Sequence, residues 1–262
     1  IHLADGIYSG SSNGEKFPLQ LSDYCSLEGE TRDGTILDAE DSSHVLNLYH
    51  DHIPEIKNLT LTGGHGMNGG GLLGYRSVFN LFNVKIRDNT SNYQGGGVYV
   101  GSGSIAELNH VVFENNESGT GGGIDISYSS AHLKNIDFTH NQATDGGGIY
   151  ISYPDTLTMD HIYCFSNTAE NYGGAIYARN SDFILANAVF DSNQAYRGGG
   201  FCLESSSMDA KNTLFVRNTA ADGYGGAGTI YNYGAPPDAE VNFYNATCTQ
   251  NTPPVLHIYG GK

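Results

Sequence analysis

Apolar and polar positions along this chain recur with a period near 26 rather than 2 or 3.6. Runs of two or three glycines begin at Gly69, Gly95, Gly121, Gly146, Gly173, Gly198 and Gly225, with successive gaps of 26, 26, 25, 27, 25 and 27 residues. A short strand-like run follows each: GGGLL, GGGVYV, GGGIDI, GGGIYI, GGAIYA, GGGFCL and GGAGTI. A second mark is an apolar residue followed three positions later by asparagine, as in Ile86/Asn89, Phe113/Asn116, Phe138/Asn141, Cys164/Asn167, Phe190/Asn193, Phe215/Asn218 and Cys248/Asn251. Three residues before each apolar position lies a third column: Asn83, His110, Asn135, His161, Asn187, Asn212 and Asn245, with Asn58 continuing it upstream. No segment carries helix-length apolar periodicity.

A period of this length, two or three short strands per unit and no helix fit a coil whose turns stack about 4.8 Å apart. The fold class is therefore all-β: a right-handed, single-stranded parallel β-helix of about nine to ten turns. A leucine-rich repeat is excluded because LxxLxL is absent, and a propeller because its blades need about 40 residues. The period is also wrong for a calcium-binding nonapeptide roll. The chain reads as a single domain over 1–262, with irregular turns at 1–68, regular repeats at 69–251, and the start of a further turn or a cap at 252–262. Residues one period apart then lie above one another. Interior columns are expected at Ile86, Phe113, Phe138, Phe190 and Phe215; at Leu81, Leu108, Leu133, Met159, Leu185 and Phe243; and at Val98, Ile124, Ile149, Ile176 and Phe201. Both asparagine columns are expected to point inward as hydrogen-bonded ladders, with His110 and His161 standing in for amides. The sequons at Asn58, Asn89, Asn116 and Asn245 would on that reading be structural.

Composition narrows the partners. Lys and Arg total 12 against 28 Asp and Glu, a net charge of −16 among 262 residues. Such a surface repels phosphate backbones, anionic membranes and polyuronates, so no nucleic-acid partner is expected. No apolar run approaches the 18 residues of a membrane span, so membrane contact would come only through a segment not present here. The first residue is Ile1, with no charged-then-apolar leader, and HIYGGK (257–262) breaks off inside the repeat; the chain reads as part of a longer one. Cys25, Cys164, Cys202 and Cys248 show no metal-ligand spacing and are expected to be free, Cys164 and Cys248 as small apolar residues in phenylalanine positions.

The units GGAIY (173–177), FENN (113–116), FTHN (138–141), FDSN (190–193) and FVRN (215–218) resemble the GGA-I/FxxN repeat of chlamydial polymorphic outer-membrane proteins and of many bacterial surface β-helix proteins. Most units here carry GGG in place of GGA. The segment FPLQLSDYCSLEGETRDGTILDA (17–39) resembles the opening turns of pectin-lyase-like β-helices. These resemblances imply an extracellular or bacterial cell-surface location, and a fold that also hosts polysaccharide lyases and hydrolases.

Candidate chemistry is sparse. The basic residues Lys85, Arg87, Lys134, Arg179, Arg197, Lys211 and Arg217 are scattered and repeat no lyase signature. Asp125, Glu204, Asp137 and Asp160 are expected on a solvated face, so no catalytic residue is assigned. The cluster His44, His50, Asp51, His52 and His65 reads as a polar bend and no metal site is assigned; no motif indicates calcium, the cation a structural site would take, and no cofactor is expected. One outward column is unusual: Leu73, Tyr99, Asp125, Tyr150, Tyr177, Cys202 and Thr229, with Tyr128, Tyr153 and Tyr231 nearby. Tyr99, Tyr150, Tyr177, Tyr128 and Tyr153 form the candidate binding face, with Tyr150 and Tyr177 about 4.8 Å apart. The function expected is a non-catalytic surface module for adhesion or for a rod or fibre, binding a glycan, a protein or its own kind through that face. The alternative is a polysaccharide lyase, a glycoside hydrolase or a carbohydrate-binding domain on the same fold.

Overall fold

The computed structural model describes residues 1–21, 25–50, 54–231, 240–253 and 256–259. It is an all-β parallel solenoid of about nine turns. A regular turn holds three strands. The first is long, as in Ser130–Thr139; the second is a short arm after the asparagine, as in Gln142–Asp145; the third follows the glycine run, as in Ile149–Ser152. Each pairs in parallel with its equivalent one turn on, so Leu108, Leu133, Met159 and Leu185 stack in one file and Phe113, Phe138, Cys164 and Phe190 in another. Within the second file Phe113 and Phe138 stack with centroids 4.8 Å apart, as do Phe190 and Phe215. The described helix, Gly10–Asn13, is a single turn.

The corners have a common cause. Each regular turn contains at least four left-handed residues, for example Gly121, Tyr128, Asn135 and His140, then Gly146, Tyr153, His161 and Ser166. A left-handed residue reverses the pleat and turns the chain, at low cost only for glycine or a short polar side chain. At the second glycine of each run the backbones of stacked turns leave no room: a Cβ at Gly147 would lie 2.4 Å from the Gly174 carbonyl oxygen. At the third position Ala175 and Ala227 replace glycine, buried in the core.

The two asparagine columns separate. Asn89, Asn116, Asn141, Asn167, Asn193 and Asn218 are buried. Each Nδ2 donates to the next Oδ1 at 2.9–3.0 Å, and the series ends on Asn251. Each Oδ1 accepts from the backbone N–H of its neighbour as well, and each Nδ2 also reaches a carbonyl in the apolar file, as Asn141 does to Phe113. The other column does not point inward. Asn83, His110, Asn135, His161, Asn187, Asn212 and Asn245 hold φ of 51–58° at the bend inside the long strand, and their side chains stand at the surface. Their bonds are piecemeal: Asn83 to Asn58, Asn135 to Asn109, Asn187 to Asp160, Asn212 to Asn187 and Asn245 to Asn212. His110 packs edge-on to Phe82 instead. The sequon asparagines divide the same way, Asn89 and Asn116 inside, Asn58 half-buried and Asn245 exposed. Phe243, expected inside, is 36% exposed on Glu240–Thr249, the last strand of its face.

Candidate functional site

The outward tyrosine column is not an open face. The short arms fold beside the strands that follow the glycine runs, and a groove lies between two files of side chains. One file is the floor, Tyr99, Asp125, Tyr150, Tyr177, Cys202 and Thr229, in register on adjacent strands. The other is the wall, Asn68, Gln94, Thr120, Asp145 and Tyr172, continued by a bridge to Arg197. Tyr99 and Tyr177 are buried on the floor and Tyr150 is half-buried. Tyr128 and Tyr153, at left-handed corners on the rim, are 60% and 46% exposed and stack at 4.9 Å. Tyr150 and Tyr177 meet edge to face at 5.5 Å, and the ring stacked on Tyr177 is Tyr172 of the covering arm.

The groove changes character along its length. Between Asn68 and Ser152 it is an open cavity of about 820 Å³, walled by amides and hydroxyls with tyrosine rings on floor and rim. Beyond Asp145 the wall residue becomes Tyr172, whose ring stacks on Tyr177 at 5.4 Å and meets Tyr231 at 6.0 Å. Arg197, paired with Asp222, lies over Tyr231. These rings bury Cys202 and plug the groove.

Asp125, expected on a solvated face, is fully buried under the open half. Thr120 Oγ1 and Ser127 Oγ donate to its two oxygens at 2.5 Å each. Burial pushes its carboxyl up to about 7 against those bonds and one from Gln94. Burial, helped by the Asp125 charge, raises the Tyr99 and Tyr150 phenols to about 12. One turn from Thr120 stands Asp145, also raised by burial against bonds from the Asn171 side chain and the Tyr172 backbone; its Oδ1 is buried without a donor among the described residues, and so is Asn68 Oδ1 at the other end of the cavity. Sequence reading missed both, since neither lies in a conspicuous column; the register from Gln94 through Thr120 would have found them.

The remaining candidates are dispersed. Glu204 is half-buried, accepts from the Tyr177 hydroxyl and pairs with Arg179 at 3.1 Å. Asp137 is exposed and Asp160 half-exposed beside His161. His44 Nδ1 lies 3.0 Å from the Gly69 carbonyl and His65 Nδ1 2.8 Å from Thr90 Oγ1, while Asp51 and His52 lie outside the described residues. Among the described residues no three His, Cys, Asp or Glu converge as metal ligands, the four cysteines are free, and no helix is long and apolar enough to cross a membrane.

With this geometry, the chain belongs to the right-handed β-helix family: the family model described as "Right handed beta helix region" matches residues 71–248. Two curated proteins are similar to parts of it. The "Probable autotransporter YfaL" of Escherichia coli (strain K12) is 34% identical over 156 residues, 53% of this chain. The "Metabotropic glutamate receptor-like protein P" of Dictyostelium discoideum is 31% identical over 107 residues, 38% of this chain. The matched segments are only 11% and 7% of the lengths of those relatives. No solved structure matches significantly.

Proposed function

We propose that this chain is a non-catalytic, surface-exposed β-helix module, and that it recognises its partner through the open half of the tyrosine-lined groove. The observation that carries this reading is the groove itself: a concave, ring-lined cavity interrupts an otherwise uniform solenoid. Similarity to a probable autotransporter supports a location at the cell surface. The regular corners and continuous asparagine ladder support a rigid rod that holds the groove away from its anchorage.

Polysaccharide cleavage is the rival, favoured by the presence of Asp125 and Asp145 beside the same cavity. Asp125 is sealed beneath Thr120, Ser127 and the tyrosines, where it touches nothing in the groove. Reducing-end and unsaturated-product assays on common polysaccharides should detect no turnover; turnover abolished by Asp145→Asn would establish the rival. The recognition reading is tested by surface display and binding to host or neighbouring cells. Wild type should adhere, a Tyr128→Ala/Tyr153→Ala variant should lose most adhesion at unchanged display, and equal adhesion would overturn it.

A further inference from the structure

The closed and open halves of the groove differ by one kind of group. In the closed half the wall file continues to Arg197. Its guanidinium lies over the Tyr196 and Tyr231 rings at 5.5 and 5.7 Å, and its Nε pairs with Asp222 at 2.9 Å. That half is filled by an arginine held between phenol rings and a carboxylate. In the open half the same file reads Asn68, Gln94, Thr120 and Asp145, and no Lys, Arg or His lines the cavity. The rings are still there: Tyr93 and Tyr128 are 58% and 60% exposed at the mouth.

The charge around that mouth is one-sided. A second hollow of about 640 Å³ adjoins the groove across the arms and shares Asn92, Gly119 and Thr144 with it. Gly119 puts no side chain on that crest. Asp41 and Glu117 line the second hollow and are exposed, and His65 beside them is bonded to Thr90 Oγ1. Asp41, Glu117 and the exposed Glu170 pair with no Lys or Arg among the described residues. The arm strands from His65–Asn68 through Thr168–Tyr172 contain no Lys or Arg at all. On the long-strand face, by contrast, Lys57 pairs with Glu55, Lys85 with Asp33, Arg87 with Asp88 and Arg217 with Asp191. Two further arginines lie on floor strands, and both are engaged: Arg76 lies over the Tyr75 ring and Arg179 pairs with Glu204. Exposed ring faces beside carboxylates without a counter-charge attract cations.

A peptide commonly adds a strand to a free sheet edge. Here the strands bearing Gln94, Thr120 and Asp145, and those bearing Tyr99, Asp125 and Tyr150, are already paired on both sides. The partner is therefore held through side chains.

Taking the open groove as the recognition surface, we propose that its partner is a protein segment bearing arginine, which brings to the open half the guanidinium that Arg197 supplies to the closed half. The guanidinium lies on the exposed rings of Tyr93 and Tyr128. A neighbouring cation of the same segment crosses the crest at Gly119 and meets Glu117 and Asp41. Arginine is preferred to lysine because its planar cation stacks on a ring and is more weakly hydrated.

The test is calorimetric titration of the whole chain with end-blocked tetra-arginine and tetralysine, at low and at physiological ionic strength. Tetra-arginine should bind, and tetralysine about fivefold more weakly. Tyr93→Leu/Tyr128→Leu should weaken tetra-arginine about tenfold and erase the preference for arginine. Tyr93→Phe/Tyr128→Phe, which keeps the rings and guards against a folding defect, should bind like wild type. Glu117→Gln should weaken binding about threefold at low ionic strength and less at physiological. Glu107→Gln, the same change of charge on the long-strand face, should leave it unchanged. The assignment is overturned if tetra-arginine does not bind, if tetralysine binds equally well, if the leucine pair binds like wild type or the phenylalanine pair as weakly as the leucine pair, or if Glu107→Gln weakens binding as much as Glu117→Gln. Cell adhesion still lost in Tyr128→Ala/Tyr153→Ala would then keep the groove as the recognition surface of an uncharged partner; adhesion indifferent to those tyrosines would end both readings.

Discussion

The column from Asn89 to Asn251 and the column from Asn58 to Asn245 are both written largely in asparagine, yet one lies inside the solenoid and the other on its surface. Inside, the carboxamide is chosen for having both a donor and an acceptor. It joins the turn on either side and takes up a backbone N–H that would otherwise be buried unpaired. Outside, the residue is chosen for its backbone, because asparagine tolerates the left-handed conformation that bends the long strand. Histidine is admitted at His110 and His161 for that same reason, and it never enters the inner column. Two periodic asparagine signals thus report two different physical demands.

The largest effect that tests this contrast is in the inner ladder. Asn141→Leu strands the buried Asn116 backbone N–H and takes one buried bond each from the Asn116 carboxamide N–H, the Phe113 carbonyl and the Asn167 carboxamide oxygen, the last of which keeps the residue-141 backbone N–H. With each such group worth about 1–3 kcal/mol, the loss should be on the order of 3 kcal/mol. Urea unfolding would measure it, and a midpoint within error of wild type would mean that the column is not a load path for stability.

Both the strength and the limit of the sequence reading follow from that comparison. Period and apolar files were legible because stacking repeats the same side chain at the same depth, as with Phe113 over Phe138. The direction of the outer asparagines was not, because alternation alone places them and the left-handed residue breaks alternation locally. The tyrosine column shows the same limit. Its register was readable, but its covering depends on where the arms of Thr120 and Asp145 come to rest, and that follows from three further corners in every turn. Asp125 was placed on a solvated face and lies sealed for this reason.

A buried acid sharpens the contrast, since amide ladders do not titrate and Asp125 does. Its folded value, about 7, lies above the ordinary carboxylate value of 3.8, so the folded state holds the proton more tightly. The stabilisation is complete below 3.8 and is lost as pH rises toward 7. From pH 5 to pH 8 it should amount to roughly 2–3 kcal/mol. Wild type should therefore lose more stability over that interval than Asp125→Asn, with chemical denaturation at both pH values as the measurement. Equal slopes would show that the carboxyl is solvated. Asn141→Leu should shift both curves without changing their slope.

The outer column should respond to backbone conformation alone. Asn187→Val places a β-branched residue in a left-handed bend and should cost about 1–2 kcal/mol. The loss should appear in thermal unfolding without any change in the pH slope.

The smallest expected effect separates the two columns most cleanly. Asn187→Gly removes the amide that bonds Asp160 and Asn212 at the surface but keeps the conformation the bend requires. Exposed hydrogen bonds exchange with water at little net cost, while glycine relieves left-handed strain and adds chain entropy to the unfolded state. The sum should fall within about 0.5 kcal/mol of wild type. The same exchange at Asn167, whose amide bonds are buried between Asn141 and Asn193, should cost several times more. Equal losses at the two sites would mean that the outer amides also form a ladder on which the solenoid depends, and that conformation is not what selects asparagine there.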